Sequence, residues 1–253
     1  MPRTRLIAGN WKMNKTPQET ETYIRAFLPL LNPGRNVDVL LIPAYPSLDR
    51  AGACLQDTEV LLGAQDLFYE ASGAFTGAVS AEMVRASGCT YVLAGHSERR
   101  HVFGDTDEAV RRKVTAALEG GLRTILCVGE TLEERKAEHT SSVLVRQLTS
   151  ALTGRGLAEM STLSIAYEPV WAIGTGETAT PDQAQDAIAE IREWLRTQFA
   201  DVVADETLIL YGGSVKPANI VDLIAQPDID GGLVGGASLD PESFARIIEG
   251  AAP

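Results

Sequence analysis

The stretch TLSIAYEPVWAIGTGETATPDQ, residues 162–183, contains in succession one strand-like segment, one loop and the start of one helix. Its first segment, TLSIAYE, is rich in β-branched and aliphatic residues, which favour β-strands. Near its end, Thr180 precedes Pro181, and Gln183 follows three residues after Thr180. This order is typical of a helix N-cap with proline in the first turn and a capping-box glutamine. The stretch therefore predicts a strand-loop-helix unit.

The residues beyond this stretch continue the helix with an apolar stripe. The members recur at helical spacing and are Ala184, Ala187, Ile188, Ile191 and Leu195. A second stripe includes Val110 and Val114 and ends in paired glycines at Gly121. Each of these two helices is therefore expected to bury one face.

Strand-like segments followed by helix-like patterns recur along the whole chain. The segments are RLIAGNWK (5–12), VDVLLIP (37–43), EVLLGAQ (59–65), TYVLAG (90–95), LRTILCVG (122–129), TLSIAYE (162–168), ETLILYGG (206–213) and DGGLVGG (230–236). No linker or composition break divides the 253 residues, of which 45% are hydrophobic. This pattern predicts an α/β fold, a closed (β/α)8 barrel that forms a single domain over residues 1–253. An open doubly wound sheet is the alternative.

The chain is acidic, with a formal net charge of −12 and a pI of about 4.7. This balance argues against a nucleic-acid partner, because nucleic-acid binders concentrate Lys and Arg on one face. Cys54, Cys89 and Cys127 lie far apart without a CxxC pair, which indicates a reducing compartment and no dedicated metal site. The sequence lacks an apolar run long enough for a membrane span. We therefore expect a cytoplasmic protein with no membrane partner.

The sixth strand-like segment ends in a carboxylate. Side chains alternate across a strand, so Ser164, Ala166 and Glu168 share one face. In a barrel, this places Glu168 at the C-terminal rim, where the loops between strand and helix build active sites. A lone glutamate at the rim is more often a solvated charge. Glu168 is therefore a catalytic candidate only together with partners.

Three further polar residues stand at the ends of strand-like segments. In the first segment, Asn10 and Lys12 fall on the same parity. In the fourth, His96 is expected to share a face with Val92 and Ala94, just before a predicted helical turn. The positive end of that turn predicts a neutral imidazole. Lys12 alone would be an ordinary surface lysine and His96 a structural histidine, but their convergence on one rim favours an anion site.

Glycine pairs follow the last two strand-like segments. They lie in Gly212-Gly213-Ser214 and in Gly235-Gly236. Backbone N–H groups that lack neighbouring side chains can approach an anion closely. Loops after strands seven and eight of such barrels commonly hold phosphate. A glycine pair by itself indicates only a turn, so it is this placement that predicts phosphate binding.

Four motifs in order resemble those of one enzyme family. They are NWKMN (10–14), GHSERR (95–100), YEPVWAIGTG (167–176) and YGGSV (211–215). Together they are specific, and the chain resembles the triosephosphate isomerase family over nearly its whole length. The resemblance implies a TIM barrel that interconverts dihydroxyacetone phosphate and D-glyceraldehyde 3-phosphate through an enediolate. It also implies a place in glycolysis and gluconeogenesis, and a reaction that uses neither cofactor nor metal.

The resemblance implies a role for each matching residue. Glu168 corresponds to the catalytic base and His96 to a neutral electrophile, while Lys12 and Asn10 correspond to groups that stabilise charge. Glu98 is implied to support Lys12. The implied phosphate contacts are Gly174, Ser214, Gly235 and Gly236.

A lid and a homodimer are implied as well. The lid covers residues 169–179 and includes Pro169, Val170 and Trp171. Glu130 and Tyr211 are implied to hold the lid in position. In the family, the loop that matches GAFTG (73–77) reaches the partner subunit's site, and Thr76 is the matching contact residue.

The chain departs from the usual family pattern outside the matched catalytic residues, including at Ala44-Tyr45, where a Pro-rich turn is commoner. Asp66 stands where members usually carry Asn, and Ala78 stands where Glu is usual. Glu177 stands where many members carry Lys. Asp66 and Ala78 bear on the dimer loop and Glu177 bears on the lid.

Two other functions share parts of this pattern. A metal-dependent sugar-phosphate epimerase would need several His, Asp or Cys ligands at strand ends, and only His96 fits. A catalytically silent barrel that binds a partner would not need Lys12, His96 and Glu168 together. The sequence therefore favours an isomerase.

Overall fold

The computed structural model describes residues 3–34, 36–172 and 179–252. In this part of the chain, eight parallel strands form a closed barrel in chain order. The strands are β1 (Arg5–Asn10), β2 (Val37–Ile42), β3 (Val60–Ala64), β4 (Tyr91–Ala94), β5 (Arg123–Val128), β6 (Leu163–Tyr167), β7 (Ile209–Tyr211) and β8 (Gly231–Val234). Each strand-like segment of the sequence contains one of these strands. The predicted closed barrel is confirmed and the open sheet is excluded.

Helices follow the strands along the described chain. They are α1 (Pro17–Phe27), α2 (Leu48–Leu55), α3 (Ala81–Ala86), α4 (Ser97–His101), α5 (Asp107–Glu119), α6 (Leu132–Lys136), α7 (Thr140–Leu152), α8 (Leu157–Met160), α9 (Pro181–Gln198), α10 (Asp201–Glu206), α11 (Ile220–Ile224) and α12 (Pro241–Ala251). The helix predicted after Thr180 is α9. Its capping box is present, because the Gln183 N–H donates to Thr180 Oγ1 at 3.2 Å and the Thr180 N–H donates to Gln183 Oε1 at 3.1 Å. The second apolar stripe, which ends at Gly121, lies on α5.

These helices are amphipathic. On α9, Ala184, Ile188 and Leu195 are buried, while Asp186 and Glu193 are exposed. The buried face packs into the cluster between strands and helices. In the described chain, no helix combines the length and the apolar character that crossing a bilayer requires.

Strand side chains divide into two buried clusters. The cluster inside the barrel is built from strand residues such as Ala8 and Ala166. The cluster between strands and helices contains Ile7, Ile165 and Tyr167. The alternation predicted for the sixth segment is therefore confirmed on β6. Because both faces of the parallel sheet are covered, the barrel interior is packed and open space remains at the strand ends.

The fourth segment alternates as predicted up to Ala94, but the prediction that His96 shares the face of Val92 and Ala94 is wrong. Val92 and Ala94 face outward into the cluster against the helices, while Tyr91 and Leu93 fill the barrel. β4 ends at Ala94, and the next residue is a glycine with φ of 76°. A left-handed residue breaks the two-residue period, so His96 does not share the face of Val92.

A similar break follows the first strand. β1 ends at Asn10, and Lys12 has φ of 52°. Lys12 therefore does not reach the rim by strand alternation with Asn10, as the sequence parity predicted. It reaches the rim through a left-handed turn.

Candidate active site

A cavity of about 330 Å³ opens at the carboxyl ends of the strands. Its wall includes seven residues that the sequence singled out, and they are Asn10, Lys12, His96, Glu168, Ser214, Gly235 and Gly236. β1 pairs with β8, with Gly9 opposite Val234. This pairing brings Lys12 beside Gly235, where an added methyl group would lie 3.6 Å from the lysine Cε. Closure of the barrel is thus what assembles the site.

Glu168 follows directly after β6 and is 2% exposed. Its N–H donates to the carbonyl of Val128 at 2.7 Å, which fixes the backbone beside β5. Carboxylate Oε2 accepts the Ser97 N–H at 2.8 Å, and Oε1 lies 3.0 Å from Nε2 of His96. The carboxylate is therefore fixed at its backbone and held at its tip by two groups of the chain that follows β4.

His96 caps α4 with its own side chain. Nδ1 accepts the Glu98 N–H at 3.2 Å, so the proton of the neutral ring lies on Nε2 and faces Glu168. Burial lowers the pKa of His96 and the Glu168 carboxylate raises it, and the net result is a raised pKa. This direction is opposite to the one predicted from the helix end alone, because that prediction omitted Glu168. The hydrogen bond from Glu98 still favours the neutral ring at Nδ1.

Lys12 is held from three sides. Its N–H donates to Oδ1 of Asn10 at 3.1 Å, and its carbonyl accepts from Nε2 of Gln65 at 2.8 Å. Its Nζ lies 2.7 Å from Oε1 of Glu98. These contacts fix an ammonium group in the wall of the cavity. Asn10 is itself buried, with 4% exposure.

Glycines leave room in the wall of the cavity. A methyl group on Gly212 would lie 2.8 Å from Cγ of Glu168, and one on Gly236 would meet no described atom within 4 Å. Ser214 is held in this wall because its carbonyl accepts from Nδ2 of Asn219 at 2.9 Å. Backbone N–H groups in such open surroundings can receive an anion.

A buried carboxylate organises the start of the predicted lid. Glu130 is fully buried and accepts hydrogen bonds from Tyr167 Oη at 3.1 Å, Trp171 Nε1 at 3.0 Å and Arg135 Nη1 at 3.1 Å. The Arg135 guanidinium also lies 4.5 Å from the centre of the Trp171 ring. Val170 is tied to the same place, because its N–H donates to the Glu130 carbonyl at 3.1 Å.

Tyr211 lies next to the start of the lid. A methyl group on Gly213 would lie 2.2 Å from the Tyr211 hydroxyl and 3.1 Å from Cγ of Pro169. The glycine therefore allows the tyrosine and the proline to pack closely. Gly174 and Glu177 lie outside the described residues, as does the rest of 173–178.

The dimer-loop residues lie apart from the cavity wall. Thr76 and Ala78 are exposed in this chain. Asp66, at the start of the loop, is buried and ion-paired with Lys113, whose Nζ lies 2.8 Å from Oδ1. The sequence could not foresee that partner, because it comes from α5.

The sequence analysis did not identify three groups that contact or belong to the wall. Gln65 donates to the carbonyls of Lys12 and of Ile42, and Ser97 offers its backbone N–H to Glu168. Lys216 lines the cavity. Gln65 follows β3 and was detectable as a polar strand-end residue, whereas a backbone donor leaves no signal in a sequence.

A larger groove of about 580 Å³ lies elsewhere, between residues 30–34 and α12. Its charged residues, Glu242, Arg246 and Glu249, all stand on one exposed helix face. The groove lies away from the strand ends, where barrels of this type build active sites. The smaller cavity, with its convergent Glu168, His96 and Lys12, is therefore the candidate active site.

Comparison with known proteins identifies the family of the chain. The family model described as "Triosephosphate isomerase" matches residues 5–251. The chain belongs to the triosephosphate isomerase family. Curated relatives named triosephosphate isomerase include one from Pelobacter propionicus, 50% identical over 97% of this chain and 98% of the relative. A second relative, from Carboxydothermus hydrogenoformans, is 50% identical over 98% of this chain and 99% of the relative. A third, from Aquifex aeolicus, is 51% identical over 96% of this chain and 98% of the relative.

Membership in the triosephosphate isomerase family decides between the two enzyme alternatives. The match extends over the whole barrel, from β1 to α12. A sugar-phosphate epimerase of another barrel family is therefore excluded. The remaining alternative, a silent member of the triosephosphate isomerase family, differs only in activity and is open to a direct assay.

Proposed function

We propose that the protein is an isomerase that interconverts dihydroxyacetone phosphate and D-glyceraldehyde 3-phosphate, as a step of glycolysis and gluconeogenesis. One observation carries the proposal. Glu168 Oε1 and His96 Nε2 lie 3.0 Å apart in a cavity whose wall also holds Lys12. Proton transfer at a carbon next to a carbonyl requires a base, a proton donor and a cation close together.

Glu168 acts as the base. It leaves the Ser97 N–H and removes a proton from the carbon next to the carbonyl, and the electron pair moves onto the carbonyl oxygen. His96 donates a hydrogen bond from Nε2 to that oxygen as negative charge develops. The carboxyl group of Glu168 then returns the proton to the neighbouring carbon, while a proton passes between the two oxygens of the enediolate. The net reaction exchanges ketone and aldehyde.

Lys12 and Asn10 stabilise the charge that develops on the substrate. The Lys12 ammonium keeps its position because Glu98 pairs with it at 2.7 Å. We assign the phosphate group to the backbone N–H groups of Ser214, Gly235 and Gly236, residues that line the same cavity. Gly174, which lies outside the described residues, completes the phosphate site in this proposal.

The lid at 169–179 closes over the substrate and excludes water. Pro169 forms the joint, and Val170 and Trp171 move with the lid. The contacts of Glu130 with Trp171 and of Tyr211 near Pro169 support positioning roles for Glu130 and Tyr211. Exclusion of water keeps the enediolate from losing its phosphate.

We further propose a cytoplasmic homodimer. The dimer loop carries exposed Thr76 and Phe75, and Met13, next to the catalytic lysine, is 95% exposed. Large apolar side chains exposed together with a protruding loop are typical of a subunit interface. The thiols Cys54, Cys89 and Cys127 are free, which suits a reducing compartment.

A coupled assay tests the isomerase. The protein is produced in a host that lacks its own triosephosphate isomerase, and each triose phosphate is supplied separately. We expect conversion in both directions, in metal-free buffer as well, because His96 and Lys12 supply the electrophile. If a folded dimer converts neither triose phosphate, the protein is instead a catalytically silent barrel that binds a partner.

The homodimer is tested by the mass of the protein in solution. Thr76→Arg places a charge at the tip of the dimer loop and is expected to give a monomer with most activity lost, because the partner no longer braces Lys12 and Asn10. Met13 is left unchanged in this variant. A fully active monomer would contradict the assigned role of the loop.

A further inference from the structure

A second lysine, Lys216, lies in the wall of the cavity. It stands two residues after Ser214, in the loop that follows β7, and it is exposed. Its Nζ forms no ion pair or hydrogen bond within residues 3–34, 36–172 and 179–252. In the same wall, the Lys12 ammonium is already paired with Glu98 at 2.7 Å. Lys216 thus brings a cation whose charge no described carboxylate offsets by direct contact.

The backbone of Lys216 is fixed beside the proposed phosphate site. Its N–H donates to Oδ1 of Asn219 at 2.8 Å, and Nδ2 of Asn219 donates to the carbonyl of Ser214 at 2.9 Å. One asparagine therefore links Ser214 and Lys216. The next residue, Pro217, restricts its own φ and stiffens the loop. The loop is held, while the lysine ammonium has no partner among the described residues.

The charge of the cavity wall depends on Lys216. With a neutral His96, the charged groups of the described wall are Lys12, Glu168 and Lys216, and the Glu98 carboxylate lies 2.7 Å from the Lys12 ammonium. Without Lys216 these groups sum to one negative charge, whereas with it their charges balance. The chain as a whole carries a net charge of −12, so a phosphate dianion approaches against an unfavourable mean field. A cation in the cleft offsets this field locally and raises the entry rate of an anion.

We propose that Lys216 is a phosphate-capture residue, which attracts the phosphate dianion into the cavity and weakly holds it there without taking part in proton transfer. The proposal rests on the proposed isomerase function, because it assigns the ligand of this wall as the phosphate of a triose phosphate. An ammonium on a flexible stem suits this role, since it acts as a point charge. Its effect declines with salt because the Debye length shortens.

The test compares Lys216→Gln, Lys216→Arg and the matched control Lys136→Gln. Lys136 is an exposed lysine of α6 outside the cavity wall, so its removal changes the net charge equally. Steady-state kinetics with D-glyceraldehyde 3-phosphate are measured across ionic strength. For Lys216→Gln we expect kcat/KM to fall roughly three- to tenfold at about 0.01 M and less than about twofold at about 0.5 M.

Further measurements separate capture from a structural role. The kcat of Lys216→Gln is expected to match the wild type, Lys216→Arg is expected to restore kcat/KM, and inorganic phosphate is expected to inhibit Lys216→Gln more weakly. The proposal is overturned if Lys216→Gln and Lys136→Gln show the same salt dependence. It is also overturned if Lys216→Gln lowers kcat equally at every ionic strength.

Failure of the isomerase proposal itself gives a different result. In that case the wild-type protein converts neither triose phosphate. Calorimetric titration with inorganic phosphate then still decides the role of Lys216. Weaker phosphate binding by Lys216→Gln than by Lys136→Gln would support capture, and equal binding by the two variants would overturn it.

Discussion

Two groups of buried and half-buried ionisable side chains differ in how completely their partners hold them. The first is the pair of Glu168 and His96 in the cavity. The second, which we name the loop-base cluster, consists of Asp66, Arg99, Asp105 and Lys113 beneath the dimer loop. Both groups remove charge from water, which is costly unless partners compensate for the lost hydration.

In the loop-base cluster, each carboxylate contacts two cations. Lys113 Nζ lies 2.8 Å from Asp66 and 2.5 Å from Asp105, and Arg99 Nε lies 3.1 Å from Asp66 and 3.3 Å from Asp105. Asp66, which replaces the usual family Asn, thus adds a charge for which two cations are present. The cluster has no partner that a substrate could replace.

In the cavity, the partners of Glu168 are replaceable. Its carboxylate contacts one backbone N–H of Ser97 and one imidazole N–H of His96. Both bonds can be exchanged for bonds to a substrate, because the carboxylate already borders open space in the cavity. Ion pairs that a substrate cannot replace thus stabilise the loop-base cluster, whereas replaceable hydrogen bonds leave the Glu168 carboxylate able to react.

Shortening the side chain of the proposed base should produce the largest effect. Glu168→Asp withdraws the carboxylate by about one ångström, and kcat is expected to fall on the order of a hundredfold. The denaturant concentration at the midpoint of unfolding should stay near the wild-type value, because the described partners of the Glu168 carboxylate are few. Near wild-type turnover would mean that another group is the base.

Removing the central cation should have the opposite signature. Lys113→Met leaves Asp66 and Asp105 buried side by side, so we expect a loss of about 3–5 kcal/mol in the free energy of unfolding. Denaturant unfolding at fixed protein concentration measures it. Asp66→Asn serves as the control. Lys113 still pairs with Asp105 in this variant, so the loss in the free energy of unfolding should be far smaller. Equal losses in the two variants would contradict a compensated cluster.

A steric change at Gly212 tests how strictly the cavity positions its base. Gly212→Ala brings a methyl group within 2.8 Å of Cγ of Glu168, and the displaced carboxylate is expected to lower kcat by roughly ten- to a hundredfold. Gly156→Ala is the control, because its methyl group would lie 3.8 Å from its nearest neighbour. Unchanged kcat in Gly212→Ala would show that Glu168 tolerates displacement.

The smallest effect concerns the protonation of His96. Burial lowers the pKa of His96 and the Glu168 carboxylate raises it. Glu168→Gln should therefore lower the His96 pKa. Histidine NMR signals followed across pH measure this pKa. A pKa raised in the folded state contributes stability below the ordinary value of 6.5 and loses it as pH rises through the folded pKa. The stability advantage of wild type over Glu168→Gln should therefore shrink over that range, and an unchanged His96 pKa would refute the coupling.

Sequence periodicity predicted most of the strands and helices. It failed where a residue with positive φ follows the end of a strand. The capped helix after Thr180 and the alternation on β6 were predictable from local rules. The face of His96 was predicted wrongly, because Gly95 has positive φ immediately after β4. Gln65 and Lys216 were missed, because their contacts with the cavity depend on loops from different parts of the chain.

The sequence by itself determined the strands, the helix caps and the types of residue at the strand ends. These features depend on hydrogen bonds and steric limits within a few residues, so the local order of side chains is sufficient. Only the tertiary structure decided which groups meet. Pairing of β1 with β8 brought Lys12 beside Gly235, and packing of α5 gave Asp66 its partner Lys113. Such contacts join residues far apart in the chain, and they form only when the barrel closes and buries both faces of its sheet.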